Sequence, residues 1–179
     1  DILTQNPIFL ARTKNVARIK PEEAISFGVS GPILRASGVN VDLRKTRPYG
    51  VYDKFEFDVP LGDKGDCWDR YKVRIIEMRQ SLRIVKQALN GIPEGPFKNK
   101  VALNLKPPEG EAYEPVESPR GELGFFIISK GGNKPYRLKV RAPSFCNISM
   151  IGEVLKGWKI ADVVAVLGTF DIVLGEIDR

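Results

Sequence analysis

Hydrophobic residues recur along this chain with two different periods, and each period predicts a different element. From Asp69 to Leu89, the residues Tyr71, Ile75, Met78, Leu82, Val85 and Leu89 step by four and three positions. That spacing predicts one long amphipathic helix whose apolar stripe makes it a central packing element. Lys72, Arg79, Arg83 and Lys86 form a separate basic stripe on it. Asp66 and Asp69 are spaced as a capping pair before its start, and Asn90, Gly91 and Pro93 stop it.

Alternation by two predicts strands. Phe55, Phe57 and Val59 face away from Lys54, Glu56 and Asp58, so Asp53–Val59 reads as a half-buried strand. Leu123–Ser129 is apolar on both faces, which predicts burial on both sides. After a turn at Lys130–Asn133, Tyr136, Leu138 and Val140 should join the core while Arg137, Lys139 and Arg141 form a basic face. Prolines at Pro21 and Pro143 open shorter helices, the second ending near Gly157. Another short piece, Ser30–Gly38, is bracketed by glycines, and a helix from Ile160 to Leu167 should break at Gly168. The chain then closes on an extended segment, with Phe170, Ile172 and Leu174 alternating against Asp171 and Val173. Helices outnumber strands, and the strands are antiparallel and segregated. The expected class is therefore α+β: helix-rich, with a long central helix and a small antiparallel hairpin. Soft boundaries at 60–65 and 90–110 are too short to divide residues 1–179 into independent domains.

Composition narrows the chemistry. The 179 residues are 42% hydrophobic and 28% charged, enough for a packed core and too apolar for a disordered chain. Histidine is absent, which removes the usual general base near neutral pH and the commonest metal ligand. Cys67 and Cys146 lie far apart and outside any CxxC spacing, so each is expected to be a free structural thiol. Gly121-Glu122-Leu123-Gly124 lacks the residues of a phosphate-binding loop. The net charge of +6 concerns partners, but few aromatics interleave with the basic strand, which disfavours nucleic acid. The crowd of Asp66, Asp69, Arg70 and Arg74 reads first as helix capping with surface ion pairs, and second as an interface anchor. In the tail, Asp171 opens an apolar run and Glu176 follows Gly175. The plain alternative there is an edge strand with a solvated charged end.

Longer motifs make the chain more specific. FGVSGPILRASG (27–38), VDLRKTRPYGVYDKFEFDVPLGDKGDCWDRY (41–71), EMRQSLRI (77–84), and a last block from ESPRGELG through RAPSFCNIS to ADVVAVLGTFDIVLGEIDR stand in this order across nearly the whole chain. Together they resemble the C-terminal half of the D-type subunits of NADH:quinone oxidoreductase (respiratory complex I), a family descended from the large subunit of nickel–iron hydrogenases. The resemblance implies a hydrogenase-large-subunit-like fold and a place in the peripheral arm, on the cytoplasmic or matrix side of the membrane. It implies that residues 1–179 are a fragment lacking the N-terminal part, in keeping with a chain that starts at Asp1. With an iron–sulfur partner subunit the family member forms the cavity where quinone is reduced. The cluster is held by that partner, NADH by another subunit, and the membrane arm is engaged indirectly. Asp171, Val173, Glu176 and Arg179 match family residues at or behind the quinone cavity, whereas the family's head-group His and Tyr lie outside this segment. The hydrogenase tail supplies cysteine ligands to its metal centre; this tail has none, so the resemblance carries over no metal site. Near 106–108 the chain lacks a histidine-containing insert that many members carry. Two other roles stand beside this one. One is an assembly surface built from the long helix and basic hairpin, sensitive to charge reversal at Arg79 or Arg83. The other is membership of a related ferredoxin- or coenzyme-fed dehydrogenase.

Overall fold

The computed structural model describes residues 2–178. In chain order the elements are α1 (Pro7–Thr13), α2 (Pro21–Ser26), α3 (Gly31–Ala36), α4 (Leu43–Thr46), a 3-10 turn (Tyr52–Lys54) and α5 (Cys67–Gly91). Then come β1 (Gly110–Ser118), β2 (Gly121–Ser129), β3 (Arg137–Arg141), α6 (Pro143–Ile148), α7 (Ile151–Val154), α8 (Ile160–Phe170) and α9 (Leu174–Ile177). The class is α+β, with one antiparallel sheet in the order β1-β2-β3.

Helix α5 spans 25 residues and opens as predicted, with the Asp66 carboxylate accepting from the Asp69 N–H at 2.9 Å. The surroundings of that cap differ from the expected surface ion pairs, because Asp66, Asp69 and Arg70 are all buried. Asp69 Oδ2 accepts the backbone N–H groups of Asp63, Lys64 and Gly65, and Asp66 Oδ2 accepts that of Asn15. The Arg70 guanidinium donates to the carbonyls of Ala17 and Gly65. The cluster thus satisfies buried loop backbone around the start of α5, which a surface pair could not do. Burial pushes the Arg70 pKa down, against the pull of the Cys67 thiol and the two aspartates.

The apolar stripe read from the sequence packs only in part. Tyr71 and Ile75 are half-buried, but Met78, Leu82, Val85 and Leu89 are 55%, 69%, 52% and 69% exposed, and the buried aliphatic residue of the helix is Val73, outside that stripe. The side of α5 that turns inward in its second half carries Gln80, Ile84 and Gln87 instead. These face the segment predicted as a strand. Phe55–Val59 is extended but pairs with no strand. Gln87 takes the role of one, accepting from the Glu56 N–H and donating to the Glu56 carbonyl, while Gln80 accepts from the Asp58 N–H. The alternation survives because Phe57 still points inward.

Strand β1 escapes prediction because its sequence, GEAYEPVES, is polar and interrupted by proline. Strand β2 is not buried on both faces. Its register puts Phe125 beside Val140 and Ile127 beside Leu138 on one face, and Phe125, Ile127 and Leu138 are exposed there. Tyr136 is exposed as well, so neither it nor Leu138 joins the core. The sheet reaches the body through its other end, where Gly121 meets Gly31 so closely that a Cβ on Gly31 would lie 2.4 Å from the Gly121 Cα.

At that junction Ser30 accepts the Glu122 N–H through Oγ, and its own N–H donates to Asn147 of α6. The core lies behind it, where Ile19, Ile33, Cys67, Met150, Val166 and Phe170 pack together. The predicted helix near Pro143 is two pieces, α6 and α7. Helix α8 runs through Gly168 to Phe170, because Val166 and Phe170 share one buried face at i, i+4 spacing. The expected extended tail is therefore cut short by α8 on one side and α9 on the other, with Val173 extended between them. Phe170 is a helical core residue, Leu174 is exposed at the start of α9, and the alternation between them has no sheet to act on.

Candidate functional site

The tail and α5 meet at the C-terminal end of α8. Asp171 follows that helix in the left-handed region, with φ of 53°. Its carbonyl neighbours are the free acceptors every helix end leaves. Arg74 reaches across from α5 and donates to the carbonyls of Thr169 at 2.7 Å and Phe170 at 3.3 Å. Its Nε lies 3.7 Å from Asp171 Oδ2 and is the one buried side-chain polar atom without a hydrogen bond among the described residues. Arg120, from the turn between β1 and β2, approaches the other side, with Nε 3.3 Å from Asp171 Oδ2. Two guanidiniums therefore balance one carboxylate and the negative end of a helix. Burial lowers the Arg74 pKa to about 10, with Asp171 opposing the shift, so Arg74 stays cationic at neutral pH.

Asp171 and Arg74 line a groove of about 820 Å³ between α1, α5, α8 and the β1–β2 turn. Phe9, Tyr71, Ile75 and Met78 give it an apolar wall. Phe9 packs edge-on against Tyr71 with ring centroids 4.9 Å apart. A buried charge network lines the same groove. Arg35 of α3 donates to Glu77 of α5 at 2.6 Å and to Glu117 of β1 at 2.8 Å, and Asp42 lies 3.9 Å away. Asp42 in turn takes two hydrogen bonds from the Arg44 guanidinium.

Each ionisable group in the network reflects its neighbours. Burial alone would depress Arg35, but Glu77 and Glu117 outweigh it and raise the pKa. Burial pushes Glu117 up despite Arg35. Burial also works on Asp42, yet Arg44 and Arg35 hold it below the ordinary carboxylate range.

Of the described tail residues that the sequence points to, Asp171, Val173 and Glu176, only Asp171 lines this groove. Val173 donates its N–H to Ser144 Oγ, and Glu176 accepts the Ser144 N–H at 3.0 Å, so both dock on the start of α6. Both are partly buried. Arg179 lies outside the described residues. Spacing does not single out Arg35, Glu77 or Glu117, although each sits inside a motif that carries the family resemblance. The available signal is an arginine in a short, glycine-bracketed apolar run, where a charge needs partners. Arg141, which reads as part of a basic face, turns toward the body instead. Arg120 goes to Asp171, and Arg141 donates to the carbonyls of Glu122 and Gly28. Cys67 is a buried free thiol on α5 and Cys146 a free thiol on α6. Among the described residues no group of three or more His, Cys, Asp or Glu side chains could hold a metal ion. No helix among them is long and apolar enough to cross a membrane.

Comparison with known proteins accounts for the whole chain. The D subunit of the NADH-quinone oxidoreductase of Desulforamulus reducens is 58% identical over 177 residues, which cover 99% of this chain and 48% of that protein. The corresponding D subunit of Carboxydothermus hydrogenoformans is 53% identical over 177 residues, with the same 99% and 48% coverage. The D 2 subunit of Solibacter usitatus is 53% identical over 179 residues, 100% of this chain and 48% of its own length. The chain thus spans about half the length of these relatives. The family model for the respiratory-chain NADH dehydrogenase 49 Kd subunit matches residues 1–104 and 97–179. On this match and these identities, the chain belongs to the family of the 49 Kd subunit of the respiratory-chain NADH dehydrogenase, which includes the D subunits of NADH-quinone oxidoreductases.

Proposed function

We propose that this chain is the C-terminal part of a D subunit and contributes one wall and a charged end to the quinone-reducing site of a proton-pumping NADH:quinone oxidoreductase. On this reading the fold is hydrogenase-large-subunit-like and the protein is peripheral to the membrane, on its cytoplasmic or matrix side. Other subunits bind NADH and the iron–sulfur clusters, and the iron–sulfur partner closes the cavity. The separation of Cys67 and Cys146 onto two helices suits a cluster held elsewhere.

One observation carries the reading: Asp171, clasped by Arg74 and Arg120, lines a groove with an apolar wall. A quinone is an apolar body with two carbonyls, and it needs an apolar wall with a few fixed polar groups at one end. Its reduction to quinol takes up two electrons and two protons, so titratable groups must deliver protons near those carbonyls. Asp171 Oδ2 lies 3.7 Å from Arg74 Nε and so holds that guanidinium against the end of α8. Asp171 and Glu176 tune or relay protons, Val173 lines the chamber wall, and Arg179 pairs with carboxylates to hold the tail. The partial exposure of Val173 and Glu176 beside α6 supports their meeting the partner subunit.

The test is made in the whole complex. Asp171→Asn and Asp171→Ala should lower NADH-driven quinone reduction about tenfold to a hundredfold, the range for a misplaced positioning contact. NADH oxidation by an artificial acceptor that bypasses quinone should be unchanged. Wild-type quinone kinetics in both variants would remove Asp171 from the site.

A further inference from the structure

Helix α6 is six residues long, and Ser144 and Asn147 are the polar side chains it buries, each 1% exposed. They stand at i and i+3 and so share one face of the helix, about 4.5 Å apart along its axis. Their hydrogen bonds serve other segments. Ser144 Oγ accepts the Val173 N–H at 3.3 Å, while the Ser144 N–H donates to the Glu176 carboxylate at 3.0 Å. Asn147 uses both ends of its carboxamide. Its Oδ1 accepts the Ser30 N–H at 3.0 Å, and its Nδ2 donates to the Arg120 carbonyl at 3.1 Å. Arg120 in turn donates from its side chain to the Asp171 carbonyl and carboxylate.

One face of one short helix therefore holds both ends of the segment from Asp171 to Glu176. The near end is held through Asn147 and Arg120, and the far end directly by Ser144. The segment cannot set its own shape, since residues 171–173 belong to no helix or strand and α9 is a single turn. The helix, by contrast, is fixed. Pro143 presets the backbone of its first position, and Ala142, Pro143 and Ser144 are all buried. Asn147 anchors it to Ser30, beside the close approach of Gly31 and Gly121. Buried polar groups that lose these partners have no water to replace them, so the tail must follow the helix.

We propose that Ser144 and Asn147 are positioning residues, and that α6 is the frame that sets the Asp171 carboxylate relative to that of Glu176. The effect on quinone rests on the quinone-site reading; the effect on the backbone of the tail does not.

Both effects are tested in the assembled complex. Ser144→Ala removes the hydroxyl that receives the Val173 N–H and leaves the backbone N–H that holds Glu176. Asn147→Asp keeps the acceptor for Ser30 and removes the donor to Arg120. Amide hydrogen exchange should become about tenfold faster over 171–176 in Ser144→Ala, and over both 119–122 and 171–176 in Asn147→Asp. Exchange over 171–176 as slow in Ser144→Ala as in the wild type overturns the frame. In steady-state kinetics Ser144→Ala should lower kcat for quinone about tenfold with little change in KM, because misplacement acts on the reaction more than on binding. A fold that was only destabilised would lose assembled complex and keep the kcat of what remains. In an Asp171→Asn background the same substitution should cost about twofold or less, because the pair it positions is already broken, whereas independent sites would multiply. Equal losses in the two backgrounds overturn the positioning role. Should Asn147→Asp fail to assemble, Ser144→Ala carries both readouts alone. If Asp171→Asn by itself keeps wild-type quinone kinetics, the quinone reading fails, and hydrogen exchange still decides the frame.

Discussion

Arg120 holds Asp171 from two directions at once, donating to its main-chain carbonyl at 3.3 Å and to its carboxylate Oδ1 at 3.4 Å. The contact ties the sheet to the end of α8 and supports a left-handed residue that a non-glycine side chain adopts only at some cost. Arg120→Ala in the complex should therefore impair quinone reduction nearly as much as Asp171→Ala. Arg120→Lys should recover little, since one ammonium cannot reproduce the two-point contact. Steady-state quinone kinetics on the three variants would show this. Full activity of Arg120→Ala would separate the clasp from the chemistry.

Asn147 supports that clasp from below. It is buried, accepts the Ser30 N–H and donates to the Arg120 carbonyl at 3.1 Å. Asn147→Ala should destabilise the fold by about 1–3 kcal/mol for each buried group left unpaired. Denaturant unfolding measures it, and a change below the lower bound would mean that the loop rearranges to pair these groups elsewhere.

The Arg35 network should be the most sensitive spot in the fold. Arg35→Met removes the common partner of Glu77 and Glu117, and stranding buried charge costs about 3–5 kcal/mol. Adding Glu77→Gln and Glu117→Gln to it should restore part of the loss. Thermal unfolding of the single and triple variants compares the two, and equal stabilities would show that no charge is stranded.

The same network sets opposite pH dependences. Asp42 is held below its ordinary range, so its contribution is present above the unfolded value near ~4 and is lost as pH falls through the lower folded value. Glu117 is raised, so its contribution is full below its unfolded value and is lost as pH rises through the folded one. Unfolding from pH 2 to 7 should therefore show a weaker acid limb in Asp42→Asn. In Glu117→Gln, the loss of stability on raising the pH above the ordinary glutamate range should be reduced. Superimposable profiles for both variants and the wild type would contradict the assignment.

Gly31 tests the junction of α3 and the sheet. Its φ of 68° and the 2.4 Å approach of Gly121 to a hypothetical Cβ leave no room for a side chain. Gly31→Ala should destabilise by more than the ~1 kcal/mol typical of a strained glycine site, because backbone must also move. Gly28, with similar φ and open space around its Cβ position, is the control and should lose only the strain component. A melting-temperature comparison decides it.

The local code was readable wherever one element could state its own case. Asp66 capping α5, the prolines opening α2 and α6, and the turn after β2 all depend on neighbours within a few residues. The α+β class and the family motifs were legible for the same reason, being contiguous strings. Which face of an element meets the body was decided elsewhere. The row from Tyr71 to Leu89 satisfied the helical period, yet the body took Val73, Ile84, Gln80 and Gln87, because the partner of that face is a segment held by glutamine side chains. Alternation in Phe170–Leu174 promised an extended tail, but the core claimed Phe170 as the last turn of α8. The charged pairings were beyond periodicity altogether. Arg35 with Glu77 and Glu117, and Asp171 with Arg74 and Arg120, join residues far apart in the chain. By itself the sequence determined the long helix, the helices opened by Pro21 and Pro143 and the family the chain belongs to, since those depend on short-range spacing. The tertiary structure decided which charges are buried and therefore paired, since desolvation acts only once distant segments have closed around them.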